Sequence, residues 1–231
     1  MLRGGLPSAR TVATALCGVG STLVVVGVVL VAADGPRPSR VIDPVMRAWA
    51  RCWLAPTGAR VEVVGSRSLR PGQPYVIVSN HQSNLDPIVH LATLEISLRF
   101  LAMRELFDLP LVGAALRRLG MIEVDRGDPA GARIAVGVRR ALSTGASVLV
   151  YPEGGTSGDG SVGPFRSGAF RLAIDNGVCV VPIATVGTRR VWPTDRHVIG
   201  PGRVLVVIGD PITTSGLRPP DAAALRDRAH T

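Results

Sequence analysis

His81 and Asp86 stand with four residues between them in the stretch Asn80-His81-Gln82-Ser83-Asn84-Leu85-Asp86. The stretch follows an apolar, strand-like run at 75–79 and precedes Pro87, so it reads as a strand-to-helix loop with Asp86 at the helix N-cap and Pro87 at the first helical position. On such a loop a neutral imidazole can take a proton from a hydroxyl. A carboxylate on the other ring nitrogen holds the tautomer and stabilises the imidazolium that forms. The pair carries no nucleophile of its own, so the hydroxyl must come from a substrate. A plainer reading stands beside it, in which Asp86 only caps the helix and His81 is a polar loop residue.

Two more segments offer groups of the right kind. Tyr151-Pro152-Glu153-Gly154-Gly155-Thr156-Ser157-Gly158 comes directly off a strand-like run. Its glycines let backbone N–H groups approach an anion, and Glu153 either bonds a substrate hydroxyl or holds the loop in shape. No Gly-Lys-Ser/Thr follows, so it is not a Walker loop. Gly120-Met121-Ile122-Glu123-Val124-Asp125-Arg126 places an arginine at a strand end, where it can clamp a phosphate or simply face solvent. There is no Gly-x-Ser-x-Gly elbow, which counts against a serine hydrolase. His90, His197 and His230 are isolated and expected to be structural or solvated, so no metal site is expected. Cys17, Cys52 and Cys179 are widely spaced and read as free thiols in a reducing compartment.

Taken in order, these three motifs with Val181-Pro182-Ile183-Ala184 resemble the glycerolipid acyltransferase family, which includes lysophosphatidic acid acyltransferases. Phe165-Arg166-Ser167-Gly168 also looks like the family's Phe-Lys/Arg-x-Gly. The resemblance implies His81 as general base and Asp86 as its orienter. It implies Arg126 at the acceptor's phosphate and Asn80, Glu153, Gly154, Gly155 and Thr156 among the substrate-binding residues, with Pro182 shaping the acyl-chain side. The implied reaction is direct transfer of a fatty acyl group from acyl-CoA or acyl carrier protein to the free hydroxyl of 1-acyl-sn-glycerol-3-phosphate, giving phosphatidic acid. It needs no acyl-enzyme and no cofactor, with backbone N–H groups near the His81 loop or Gly154 serving the oxyanion. Met103 stands where many members carry Lys, and Gly155 and Thr156 where Thr and Arg are common, which puts the acceptor headgroup in question. The alternatives are an acyltransferase for another lysolipid, such as a lyso-ornithine lipid, and a non-catalytic lipid-binding membrane protein of the same fold.

To position these motifs the chain offers strand-like runs at 61–64, 75–79, 98–102, 121–124, 147–151 and 178–183, alternating with helical patterns at 87–95, 105–119, 131–142 and 165–176. Residues 204–208 add an expected edge strand and 221–228 a terminal helix. The alternation predicts an α/β fold with a central mixed or largely parallel sheet flanked by helices.

Residues 11–33 carry no charge, and at about 1.5 Å per residue such a helix spans the roughly 30 Å of bilayer hydrocarbon. A single transmembrane helix is expected, with a cleaved signal peptide as the competing reading. Arg37, Arg40, Arg47 and Arg51 after it outnumber Arg3 and Arg10 before it, which puts the main domain on the cytoplasmic side. Ile42, Val45, Met46, Trp49, Cys52 and Trp53 then share one helical face, as in an interfacial helix or one packed on the domain. The expected division is an anchor at 1–34, a linker and amphipathic helix at 35–60, and a catalytic domain at 61–231. All 26 basic residues are Arg against 17 acidic ones, a net charge of +9, which favours anionic partners. Lipid headgroups fit better than nucleic acid, because only 4% of residues are aromatic and no nucleic-acid-binding signature appears. Nothing in the sequence sets the oligomeric state.

Overall fold

The structure, a computed structural model, describes residues 8–32, 38–65, 69–124, 131–157, 159–194 and 198–230. Its centre is a seven-stranded sheet in the order β1-β7-β6-β2-β5-β3-β4. The strands are β1 (Ala59–Val64), β2 (Val76–Ser79), β3 (Leu98–Met103), β4 (Ile122–Val124), β5 (Ser147–Val150), β6 (Val180–Val186) and β7 (Gly202–Ile208). All neighbours are parallel except β6 and β7. This is the mixed, largely parallel sheet that the alternation predicts. Because β1 and β7 run against β6, the start of β7 lies beside the end of β6, with Val186 opposite Leu205. The beginnings of β1 and β7 therefore share one end of the sheet with the finish of β2.

β2 is buried throughout, and apolar up to Ser79 at its end, because both of its faces are covered. Ile77 joins Leu149, Val181, Ile183, Val204 and Val206 under α2 (Pro38–Leu54) and α3 (Asp86–Thr93). Val76, Val78, Val148 and Val180 face the other way, against Val138 of α6 (Ala132–Ser143), Phe170 of α7 (Gly168–Asp175) and Leu225 of α9 (Ala222–His230). That second layer stops at β6. Beyond it Arg60, Glu62, Val186, Arg203, Leu205 and Val207 stand exposed.

This open half explains one difference from the sequence reading. Residues 204–208, expected at an edge, lie in β7 between β1 and β6, and β1 is the edge. One bared face gives β7 the alternating pattern that an edge strand also shows. The single helix expected at 105–119 is two, α4 (Arg104–Phe107) and α5 (Pro110–Arg118), divided where Pro110 starts a new turn. A short α8 (Thr188–Val191) follows β6.

α1 (Ala9–Ala32) is long and apolar enough to cross a membrane by length and composition. It also lies against the rest of the chain. In its first turns, Arg10 Nη1 donates to the Pro56 carbonyl at 3.2 Å and Thr11 Oγ1 accepts from Ile199 N–H at 3.0 Å. Farther along, Gly18 admits the Trp53 ring, which any Cβ there would meet, and Thr22 Oγ1 accepts from Trp49 Nε1 at 2.9 Å. Its outer side shows Leu16, Leu23, Val24 and Val31. α2 buries Ile42, Met46 and Ala50. Its Asp43 pairs with Arg99 at 3.0 Å, so of the two readings of this helix the structure shows it packed on the domain.

Candidate active site

The chain leaves the sheet at Asn80, and a side chain continues the ladder where the backbone turns away. Asn80 Nδ2 donates to the Thr185 carbonyl at 2.9 Å, and Thr185 N–H donates back to Asn80 Oδ1 at 2.8 Å. The next residue is held from both ends. His81 N–H donates to Glu153 Oε1 at 2.7 Å, and its carbonyl accepts from Ser157 N–H at 2.8 Å. The loop after β5 thus fixes the backbone that carries the imidazole.

Asp86 fixes the ring. Its Oδ2 lies 2.8 Å from His81 Nδ1 and also accepts the N–H groups of Gln82 at 2.7 Å and Ser83 at 2.8 Å. Asp86 is not the N-cap expected of it. α3 begins at Asp86, the cap position is Leu85, and the carboxylate reaches back into the loop instead of forward to the helix. Asp86 is fully buried, offset by these hydrogen bonds and by its place in the first turn of α3, where the helix dipole favours a negative charge. An ionised carboxylate only accepts, so His81 Nδ1 carries the proton and Nε2 keeps its lone pair. Nε2 has no protein partner among the described residues, and the side chain is 18% exposed, enough to meet a substrate.

Half-buried Tyr151 and fully buried His90 lie behind the imidazole. The Tyr151 ring stacks on it with centroids 4.0 Å apart and planes 15° off parallel. The Tyr151 hydroxyl lies 3.1 Å from His90 Nδ1, and His90 Nε2 lies 2.9 Å from Thr185 Oγ1. Burial, joined weakly by His81 and opposed by Asp86, lowers the His90 pKa from 6.5 to about 4. Burial first and the Asp86 charge second push the Tyr151 hydroxyl well above its ordinary value of 10. Both are neutral at neutral pH.

The residues after β5 divide by role. Of the two readings of Glu153 the structure shows loop-holding, because Oε2 accepts Gly163 N–H at 2.8 Å while Oε1 takes His81 N–H. Gly154 adopts φ +80°, and a Cβ there would meet the Arg166 guanidinium carbon at 2.9 Å. Gly155 and Thr156 are exposed on the rim. The N–H groups expected to serve an oxyanion are engaged: His81, Gln82 and Ser83 as above, and Gly154 with the Tyr151 carbonyl at 3.1 Å. Those of Gly155 and Thr156 donate to nothing among the described residues. Arg126 lies outside the described residues. Pro182 sits inside β6, its carbonyl accepting Gly209 N–H at 2.9 Å.

Tyr151, His90, Thr185 and Arg166 escaped the sequence reading as site residues. His90 had one available signal: it follows Asp86 by four residues and so shares its helix face. Tyr151 and Thr185 sit at or beyond strand ends, and only the strand order brings them together.

A family model described as Acyltransferase matches residues 60–186, a span that holds the dyad and the loop after β5. The chain is 37% identical over 174 residues to 1-acyl-sn-glycerol-3-phosphate acyltransferase alpha of Mus musculus, covering 74% of this chain and 61% of the relative. It is 36% identical to the chloroplastic 1-acyl-sn-glycerol-3-phosphate acyltransferase LPAT1 of Arabidopsis thaliana, covering 73% and 48%. The chain thus spans roughly half to three fifths of these relatives' length. The fold is that of the crystal structure of the 1-acyl-sn-glycerophosphate acyltransferase PlsC from Thermotoga maritima, with TM-score 0.80 at 24% identity over 96% of this chain and 92% of that one. With its histidine, carboxylate and Pro-Glu-Gly loop assembled within the matched span, the chain belongs to the acyltransferase family.

Proposed function

We propose that this protein transfers a fatty acyl group from an acyl thioester to the free hydroxyl of 1-acyl-sn-glycerol-3-phosphate, giving phosphatidic acid. The observation that carries this reading is His81, held at Nδ1 by a buried Asp86 with Nε2 open. The acceptor hydroxyl attacks the thioester carbonyl while Nε2 removes its proton, and Asp86 stabilises the imidazolium. The tetrahedral oxyanion sits against the open N–H groups of Gly155 and Thr156. It collapses by expelling the thiolate, which takes the proton back from Nε2 and leaves as the thiol. No covalent enzyme intermediate forms.

Arg126 and Arg166 bind the acceptor's phosphate in this proposal. Arg166 makes no side-chain ion pair or hydrogen bond among the described residues, and its guanidinium lies against Gly154. The exposed apolar side of α1 enters the bilayer. The ties of Arg10, Thr11, Gly18 and Thr22 along α1 support a domain held at the membrane surface with its lipid site at headgroup level.

The test is transfer of labelled acyl groups from acyl-CoA or acyl carrier protein by the full chain in lipid, with a panel of lysolipids. Product from lysophosphatidic acid that disappears in His81→Ala supports the assignment. Product only from another lysolipid moves the acceptor to that lipid. The departures at Met103 and Thr156 make this second reading specific.

A further inference from the structure

Between the ends of β1, β7 and β6 and the far part of the loop after β5, at Asp159 and Gly160, lies a cleft of about 1320 Å³ that the mechanism above does not use. Arginines dominate its wall. Arg60, Arg189, Arg190 and Arg203 line it, against the acidic residues Glu62 and Asp159. The topology brings them to the catalytic end of the sheet. β1 and β7 run against β6, so Arg60 and Arg203 at their beginnings lie near Arg189 and Arg190, which follow the end of β6.

Arg60 and Arg203 are also register partners on adjacent parallel strands, both exposed on the same bare face. Strands are about 4.8 Å apart, and like charges set side by side at that spacing repel. Neither they nor Arg190 make a side-chain ion pair or hydrogen bond among the described residues. Arg189 donates from Nη1 to the Ser157 carbonyl at 3.3 Å and lies near enough to Asp159 for its charge to favour the ionised carboxylate there. Arginines converging on a cleft, three of them without a side-chain partner among the described residues, suit a multiply charged anion, whose oxygens relieve the repulsion and accept from the guanidinium forks.

The position identifies the anion. Gln82, next to His81 in the chain, forms part of the wall and donates from Nε2 to the Gly160 carbonyl at 2.7 Å. The cleft therefore reaches the catalytic loop. It occupies the sheet face opposite the one under α1 and α2, so it opens away from the face that carries the apolar helices. The acceptor lipid comes from the bilayer, whereas the thioester donor comes from water on a phosphorylated pantetheine. We infer that this cleft binds the phosphate-bearing end of the acyl donor and presents its thioester to His81 from the β6 side. This rests on the acyl-transfer reading above. Coenzyme A and a carrier protein share the phosphopantetheine, and coenzyme A adds nucleotide phosphates.

The experiment compares the full-length protein in detergent micelles with its R60Q/R203Q variant. Both positions are exposed, so the core is left intact and the two unfold alike. Calorimetry with free coenzyme A is expected to show at least about tenfold weaker binding in the variant, while pantetheine, which lacks phosphate, binds both alike. In turnover the variant raises KM for palmitoyl-CoA but not for palmitoyl-pantetheine or the lysolipid, with kcat little changed. A similar KM rise with acyl carrier protein points to the shared phosphopantetheine phosphate. A rise with coenzyme A alone points to its nucleotide phosphates, and either supports the proposal. Unchanged coenzyme A affinity overturns it, as does equal weakening for coenzyme A and pantetheine. So does a loss confined to anionic vesicles, which would assign the cleft to lipid headgroups. Wild-type protein that turns over no lysolipid would sink the acyl-transfer reading and still leave coenzyme A binding to judge the cleft.

Discussion

The two sides of the His81 loop are built on different principles. Toward β5 and α3 the polar groups are buried or half-buried and mostly paired: Asn80 with Thr185, His81 with Asp86 and Glu153, His90 with Tyr151 and Thr185, with Asp86 Oδ1 the buried exception that has no hydrogen-bond partner among the described residues. Toward β7 and β1, Arg60, Arg190 and Arg203 stand in solvent without partners among the described residues. Chemistry at one nitrogen needs direction set in advance, and a network of hydrogen bonds in a low dielectric supplies it. Capture of an anion needs charge without fixed direction, and exposed guanidinium groups supply that at the expense of screening by salt.

Breaking the ordered side produces the largest effect. His81→Ala is expected to lower kcat by about 10²–10⁴-fold, because it removes the general base, while binding of donor and acceptor persists. Single-turnover rates beside equilibrium binding check this, and a variant within threefold of wild type would remove His81 from the chemistry.

Next comes an acid sensitivity that the exposed side cannot share. His90 is kept neutral, its pKa lowered from 6.5 to about 4. As the pH falls below 6.5 the unfolded chain takes up this proton before the folded one does. Stability is therefore full above about pH 6.5 and declines toward pH 4, by up to about 3 kcal/mol from this group. Thermal unfolding across that range should show the decline, and His90→Gln should flatten it. Equal pH slopes in the two proteins would assign the decline to other groups.

Glu153→Gln sharpens the contrast between holding and binding. An amide accepts at only one of the two positions where Glu153 receives His81 and Gly163 N–H groups, so a loss of about 1–3 kcal/mol in stability is expected together with lower kcat. A rise in acceptor KM alone, with stability unchanged, would instead make Glu153 a substrate ligand. The smallest effect belongs to Arg166→Ala, which should raise the KM for a phosphorylated acceptor roughly tenfold and leave donor KM alone.

Much of the ordered side was legible in the chain. The spacing of His81 and Asp86, the strand before them and the Pro-Glu-Gly loop carried the dyad and its elements. Glu153 stayed ambiguous there, because a carboxylate that accepts from the His81 backbone and one that accepts from a substrate look alike in one dimension. Asp86 looked like a cap because caps and catalytic carboxylates both favour the start of a helix. Tyr151 and Thr185 were invisible as partners of His90, since their meeting depends on β5 and β6 flanking β2. The basic cleft was illegible for the same reason: Arg60 and Arg203 are remote in sequence and become neighbours only through β1 pairing with β7.

The chain by itself determined what is local: which segments are strands and helices, the apolar length of α1, and the residue types at the catalytic loop, because periodicity and short spacing need no partner to be read. The tertiary structure decided which of those residues meet. Strand order and direction put Asn80 on Thr185, Glu153 on His81 and two arginines side by side at the catalytic end of the sheet. Contacts between distant residues follow from how the sheet is assembled, and that assembly reflects the burial of all faces at once, which no single segment encodes.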